Sequence, residues 1–299
     1  MPPSTSAARR AITAALVVPV LIAACTSSAS PTPSGTPTVA PTASPSTAPT
    51  AAPAALLLQV TSEGGFINPS ATIAALPTVV VYADGRIMSP GTPPPNTPNA
   101  LVLPINVHDV GSTGAAAIRA AIAAAGLDKP GTGDPGIAAD SGTSVFTVNI
   151  GAAPIVTRFA ASGPGGPGLP GGGGNPQRTA ALDLLGRLLD STDNWGAPSA
   201  PPSTYSPRGY RVFVAPGAPA GGGTTSVVAW PLATGLAAFG TPAVPDRGVT
   251  GLRSGVVLGA DAQALGPIVA AASTATTFTS GGAPFTLWVR PLLPHELPG

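Results

Sequence analysis

The sequence predicts an α+β fold, with mostly antiparallel sheet and two or three helices packed on one side of it. Three observations predict it. Short runs of aliphatic and β-branched residues recur from Leu56 onward, separated by Gly, Pro and Asn, the mark of strands divided by turns. Two of these runs are joined through Asp84-Gly85, a pair that favours a tight hairpin and hence antiparallel pairing. Between the runs lie three Ala- or Leu-rich stretches long enough for three or four helical turns.

Taken in order, Leu56 to Thr61 has the aliphatic content of a buried strand. Thr78 to Met88 reads as two strands around a two-residue turn at Asp84-Gly85. After a Pro-rich excursion, Leu101 to Val110 is a strand carrying His108. Ala115 to Gly126 is a helix with Ile118 and Ile122 four apart and a glycine stop. Val145 to Ile150 alternates as a strand does, and Ile155 to Ala160 is its hairpin partner. Pro176 to Leu189 forms a helix with Leu182, Leu185 and Leu189 on one face. Strands are expected at Arg211 to Ala215, Ser226 to Trp230 and Gly255 to Leu258, then a helix over Ala260 to Ala272 and a closing strand at Phe285 to Val289. A similar strand-then-helix order in each half hints at two similar lobes, without a measurable repeat.

The N-terminus reads differently. Residues 1–24 have the form of an export signal, with Arg9-Arg10 followed by a short apolar run. That run, Ala11 to Ile22, is well under the roughly 20 residues of a spanning helix. It ends Leu21-Ile22-Ala23-Ala24-Cys25, which resembles the bacterial lipobox; the resemblance implies a mature chain beginning at Cys25 with lipid on its thiol. Cys25 is the only cysteine, so once acylated it leaves the folded part without disulfides, thiolate ligands or cysteine nucleophiles. Residues 26–55 are built from Ser, Thr, Pro, Ala and Gly with one Val and no charge. Such a segment lacks the apolar bulk for a core and is expected to be a disordered stalk, about 90 Å long at ~3.1 Å per residue if fully extended. Residues 56–299 then make the folded domain, interrupted by a Gly/Pro-rich insert at 163–175.

Charge narrows the partners. Only 8% of residues are charged, and loss of Arg9 and Arg10 takes the formal net charge from +1 to −1. A near-neutral chain without a basic run is not built to bind nucleic acid.

Several stretches carry a family resemblance: Gly64-Gly65-Phe66-Ile67-Asn68-Pro69, the Tyr82-Ala83-Asp84-Gly85-Arg86 hairpin, Val227 to Leu232, and Phe285 to Glu296 with its Arg290-Pro291-Leu292-Leu293-Pro294 motif. Together they resemble a family of actinobacterial-type exported lipoproteins without an assigned function, over essentially Gln59 to Glu296. The resemblance implies a cysteine near the Gly255-Val256-Val257 strand, where this chain has Ser254, so any disulfide of its relatives is absent here. It implies no catalytic residue.

No residue pattern points to catalysis. The two histidines, His108 and His295, are too few for a zinc site without carboxylates. His108 and Asp109, as strand neighbours, should face opposite ways, and His295 in a Pro-flanked tail should be exposed. Gly251-Leu252-Arg253-Ser254-Gly255 misplaces its serine for a nucleophile elbow. The glycine run lacks the Gly-Lys-Ser/Thr ending of a phosphate loop. Glu63, Asp84, Asp109, Asp183 and Asp246 are scattered, with no evident pair for glycoside hydrolysis. Tyr82, Trp230 and Trp288 read as core or sheet-face aromatics before they read as a sugar platform, and Arg290 reads equally as a partner for an internal carboxylate and as a ligand contact.

The expectation is therefore a non-enzymatic lipoprotein without metal or cofactor, held by Cys25 on the extracytoplasmic face of the cell membrane. Its partner would be another envelope component; the alternative is a carrier or sensor of a small apolar ligand. The first calls for an exposed apolar patch, the second for an enclosed cavity. An enzyme would instead bring titratable groups together in one cleft.

Overall fold

The structure, a computed structural model, describes residues 55–64, 72–131, 142–160, 175–198, 201–219, 226–243 and 248–298, all within one compact unit, Thr50–Gly299. The signal segment, Cys25, the stalk to residue 54 and the insert at 163–174 lie outside the described residues. Asn175, the last residue assigned to the insert, instead caps a helix: its side chain accepts from the Gln177 and Arg178 amides at 3.0 and 3.3 Å.

The strands form two sheets. In the first, β1 (Leu56–Glu63) is central, with β2 (Val79–Tyr82), β3 (Arg86–Pro90), β4 (Ile105–Asp109) and β7 (Ser203–Thr204) following on one side. On the other side lie β5 (Thr143–Val148) and β6 (Ile155–Ala160). All of its pairings are antiparallel. The second sheet has the order β10 (Thr241–Pro242), β11 (Arg253–Leu258), β8 (Gly209–Pro216), β13 (Ala283–Pro291), β12 (Thr277–Ser280) and β9 (Val227–Ala229). Only its β9–β12 pair is parallel. The α+β class with mostly antiparallel sheets is what the sequence predicts.

Among the described residues, three α-helices supply the outer layers. α1 (Gly111–Ala124) and α2 (Pro176–Leu189) cover one face of the first sheet, with Ile118, Ile122 and Leu184 packed among Leu58, Phe146 and Phe159. Each such side chain, fully removed from water, stabilises the fold by about 1.5–3 kcal/mol. α3 (Gly259–Ala271) covers one face of the second sheet, setting Ala262, Leu265 and Val269 against Val212, Val214 and Leu287.

Four expectations need correction. The hairpin loop has three residues, not two, because Val81 pairs with Ile87 and leaves Ala83, Asp84 and Gly85 between the strands. The Gly85 amide donates to the Tyr82 carbonyl at 3.0 Å, and Gly85 takes φ +97°, the left-handed residue that closes a three-residue loop. In α2 the buried stripe is Ala181, Leu184 and Leu188, while Leu189 is 46% exposed. Two apolar ridges run side by side on this helix, and the sheet takes the one displaced by one residue, with Leu185 packed at its margin. The strand expected over Leu101 to Val110 begins only at Ile105. Before it, the chain turns to the second sheet's helical side, where the Leu101 amide donates to the Ala272 carbonyl at 2.9 Å. Finally, the two halves do not repeat. After α1 the chain enters beside β1 and then goes to the edge, whereas after α3 it takes the outer β12 first and then β13 beside β8.

The faces opposite the helices are also covered. On the first sheet, Val80, Tyr82, Met88 and Ile105 are buried with Leu293 from the C-terminal segment. On the second, Ala215 is buried with Ile73 and Leu252, and Phe213 and Trp288 pack alongside. The segment after β13 thus reaches the first sheet.

Candidate functional site

Strand alternation in β13 divides its side chains cleanly. Phe285, Leu287 and Val289 point into the core under α3. Thr286, Trp288 and Arg290 point the other way, into a cleft of about 950 Å³ that is open to solvent. Its remaining walls come from β8 (Ala215, Pro216), from the segment around Leu76, from Pro98 to Leu103, and from Val249 and Thr250. Among the described residues, Trp288 is its only aromatic and Arg290 its only charged lining residue.

Arg290 is not free to act as a bare charge. Its guanidinium meets the Glu296 carboxylate in two bonds of 2.7 and 2.6 Å, with the two side chains only 14% and 19% exposed. Such a bidentate pair is geometrically fixed. Glu296 also accepts from the Leu293 amide at 2.9 Å. Burial by itself would raise the carboxyl's pKa, but the Arg290 and Leu293 hydrogen bonds and the Arg290 charge together hold it below the ordinary value. The sequence expectation that Arg290 pairs with an internal carboxylate is met, and the carboxylate lies six residues along the chain.

The same C-terminal turn, Pro294–Glu296, brings together the two most distinctive motifs of the sequence. The Tyr82 hydroxyl lies 2.8 Å from His295 Nδ1. Burial raises the Tyr82 phenol and lowers the His295 imidazole, so both groups are neutral, and the imidazole tautomer sets which of them donates. Arg86 stacks over the Tyr82 ring with Cζ 5.2 Å from its centroid, and its guanidinium pairs with Asp84 at 2.8 Å. Tyr205 donates to the Leu292 carbonyl at 3.0 Å. His295 is therefore half-buried rather than exposed, because Leu292 and Leu293, both under 3% exposed, pin the tail to the first sheet.

The other candidate residues fall outside the cleft. His108 is buried on the helix-facing side of β4 with both ring nitrogens unpartnered, and Asp109 is exposed, its carboxylate accepting from the Gly111 amide at 2.9 Å. They face apart, as the strand geometry predicts. Glu63 lies 3.6 Å from Arg158 on the surface, Asp183 is exposed on α2, and Asp246 lies outside the described residues. No described carboxylate lines the cleft. Among the described residues there is no group of three or more His, Cys, Asp or Glu that could hold a metal ion. Nor is any described helix long and apolar enough to cross a membrane.

The aromatics separate by position. Tyr82 is fully buried, and Trp230 is buried edge-on against Phe239 with its Nε1 donating to the Thr234 carbonyl at 2.9 Å. Trp288 alone of the three presents a half-buried ring to the cleft, and its Nε1 has no acceptor among the described residues. The cleft itself escaped sequence reasoning because its walls come from segments more than 200 residues apart. The one local signal was the alternation of β13 past Trp288. No protein-family model, no curated protein and no solved structure matches the chain.

Proposed function

We propose that the chain is a lipid-anchored envelope lipoprotein whose folded unit is non-catalytic and binds an uncharged ligand in the cleft over Trp288. One observation carries the binding reading: the only charged group among the described lining residues, Arg290, is neutralised by Glu296, and the Trp288 ring lies beside it. The titratable groups that do converge are consumed in fixing the C-terminal segment, Tyr82 and His295 to the first sheet and Arg290 and Glu296 to β13 of the second. They act as a clasp. A carrier of a purely apolar molecule calls for an enclosed cavity, and this cleft is open. The lipobox ending at Cys25 and the uncharged stalk support the anchor.

Full-length protein, extracted from its host membrane in mild detergent and weighed native and denatured, tests both parts. The denatured mass should equal the chain from Cys25 plus acyl groups. The native mass should exceed it by a non-covalent, uncharged component. An unacylated denatured mass removes the anchor, and identical native and denatured masses remove the bound ligand.

A further inference from the structure

We infer that the ligand of this cleft is a neutral saccharide that stacks on Trp288; the inference rests on the cleft reading above. Charge is the first constraint. An anion would have to compete with Glu296 for a guanidinium already bound twice, and a cation would find no described carboxylate in the lining to pair with. An uncharged ligand meets neither cost.

Hydrogen bonding is the second. The side chains of Asn99, Thr250 and Thr274, the Trp288 Nε1 and the Arg290 Nε line the cleft without a protein partner among the described residues. They are satisfied by water while the cleft is open. A hydrocarbon ligand would bury them unpaired and lose the hydrogen bonds they make to solvent. The ligand must therefore bring its own donors and acceptors in place of that water.

The lining is the third. Along Thr286–Pro291 β13 pairs with β8, while β12 reaches only Ala283–Phe285. What this strand offers the cleft is the Thr286, Trp288 and Arg290 side chains, so recognition falls to side chains and to one indole. A sugar ring fits that description: its C–H face lies flat on an aromatic ring while its rim carries uncharged hydroxyls. Same-face neighbours along a strand are about 7 Å apart, so a ring over Trp288 has its rim within reach of Arg290.

Calorimetric titration of the full-length protein in a zwitterionic, sugar-free detergent tests this. The probes are uncharged hexose, pentose and N-acetylhexosamine trisaccharides, with a neutral blocked hexapeptide and hexan-1-ol as comparators. At least one trisaccharide should bind saturably. Its Kd should rise at least tenfold in Trp288→Ala and about fivefold in Thr274→Val, an exposed position whose loss of a hydroxyl leaves the core intact. Val227→Ala, 66% exposed on the edge strand β9 and away from the cleft lining, should leave it unchanged. No saccharide binding, or binding indifferent to both cleft variants, overturns the inference. Binding of the peptide or the alcohol alone, lost in Trp288→Ala, overturns the saccharide while the cleft reading stands. If no probe depends on Trp288, both fall.

Discussion

Gly85→Val is expected to be among the most destabilising single substitutions in the chain, at about 4 kcal/mol or more. Two independent causes act at this position. Gly85 holds φ +97°, a conformation that costs a residue with a side chain about 1–3 kcal/mol. A Cβ there would also overlap the Gly111 carbonyl, which is backbone and cannot swing aside. The contact is no accident of a loose loop. The Val110 amide donates to the Gly85 carbonyl at 3.1 Å, so the hairpin tip is seated on the start of α1. Denaturant unfolding of the variant should show a large drop in midpoint; an unchanged midpoint would mean that the hairpin tip does not sit there.

Glu296→Gln has the second large effect, about 2–3 kcal/mol, reduced from the full cost of breaking a buried pair because both partners keep some contact with water. It leaves Arg290 with a neutral partner beside the cleft. The pH dependence identifies the cause. Glu296 has a folded pKa below its ordinary 4.5, so its contribution is present above that value and lost as pH falls through the folded pKa. His295, held below 6.5, likewise favours the fold above 6.5 and lets stability decline as pH falls beneath it. Tyr82 is raised above 10, so its contribution is present below 10 and is lost as pH rises further. Wild-type stability should therefore be flat between about 6.5 and 10 and fall on both sides. In Glu296→Gln the fall below about 4.5 should become shallower. A variant with the wild-type acid limb would place the clasp elsewhere.

Local features of the fold were legible where one strand or helix carries its own signal. Val79 to Tyr82 and Arg86 to Pro90 declare a hairpin by composition alone, and the bounds of α2 follow from Pro176 and the leucines. What escaped is what needs a partner to decide it. Leu184 and Leu185 head equally apolar ridges, and only the sheet's position selects one. Thr277 to Ser280 is too short and polar to read as a strand until β13 and β9 flank it. His295 looks exposed between prolines because the burial of Leu292 and Leu293, which carries it to Tyr82, is a tertiary event. The candidate site was the least legible part. Trp288 and Arg290 stand out in the sequence, yet their shared face matters only because Leu76, Pro98 and Thr250 close a cleft over it.

The occupancy of that cleft in the cell is the most direct question. Hydroxyl-radical footprinting of the full-length protein on intact cells, repeated after detergent extraction and exhaustive dialysis, reads it at a single side chain. Trp288 is expected to oxidise slowly on cells and several-fold faster after dialysis, with buried Trp230 slow in both. Equal Trp288 oxidation in the two preparations would contradict a ligand bound over its ring.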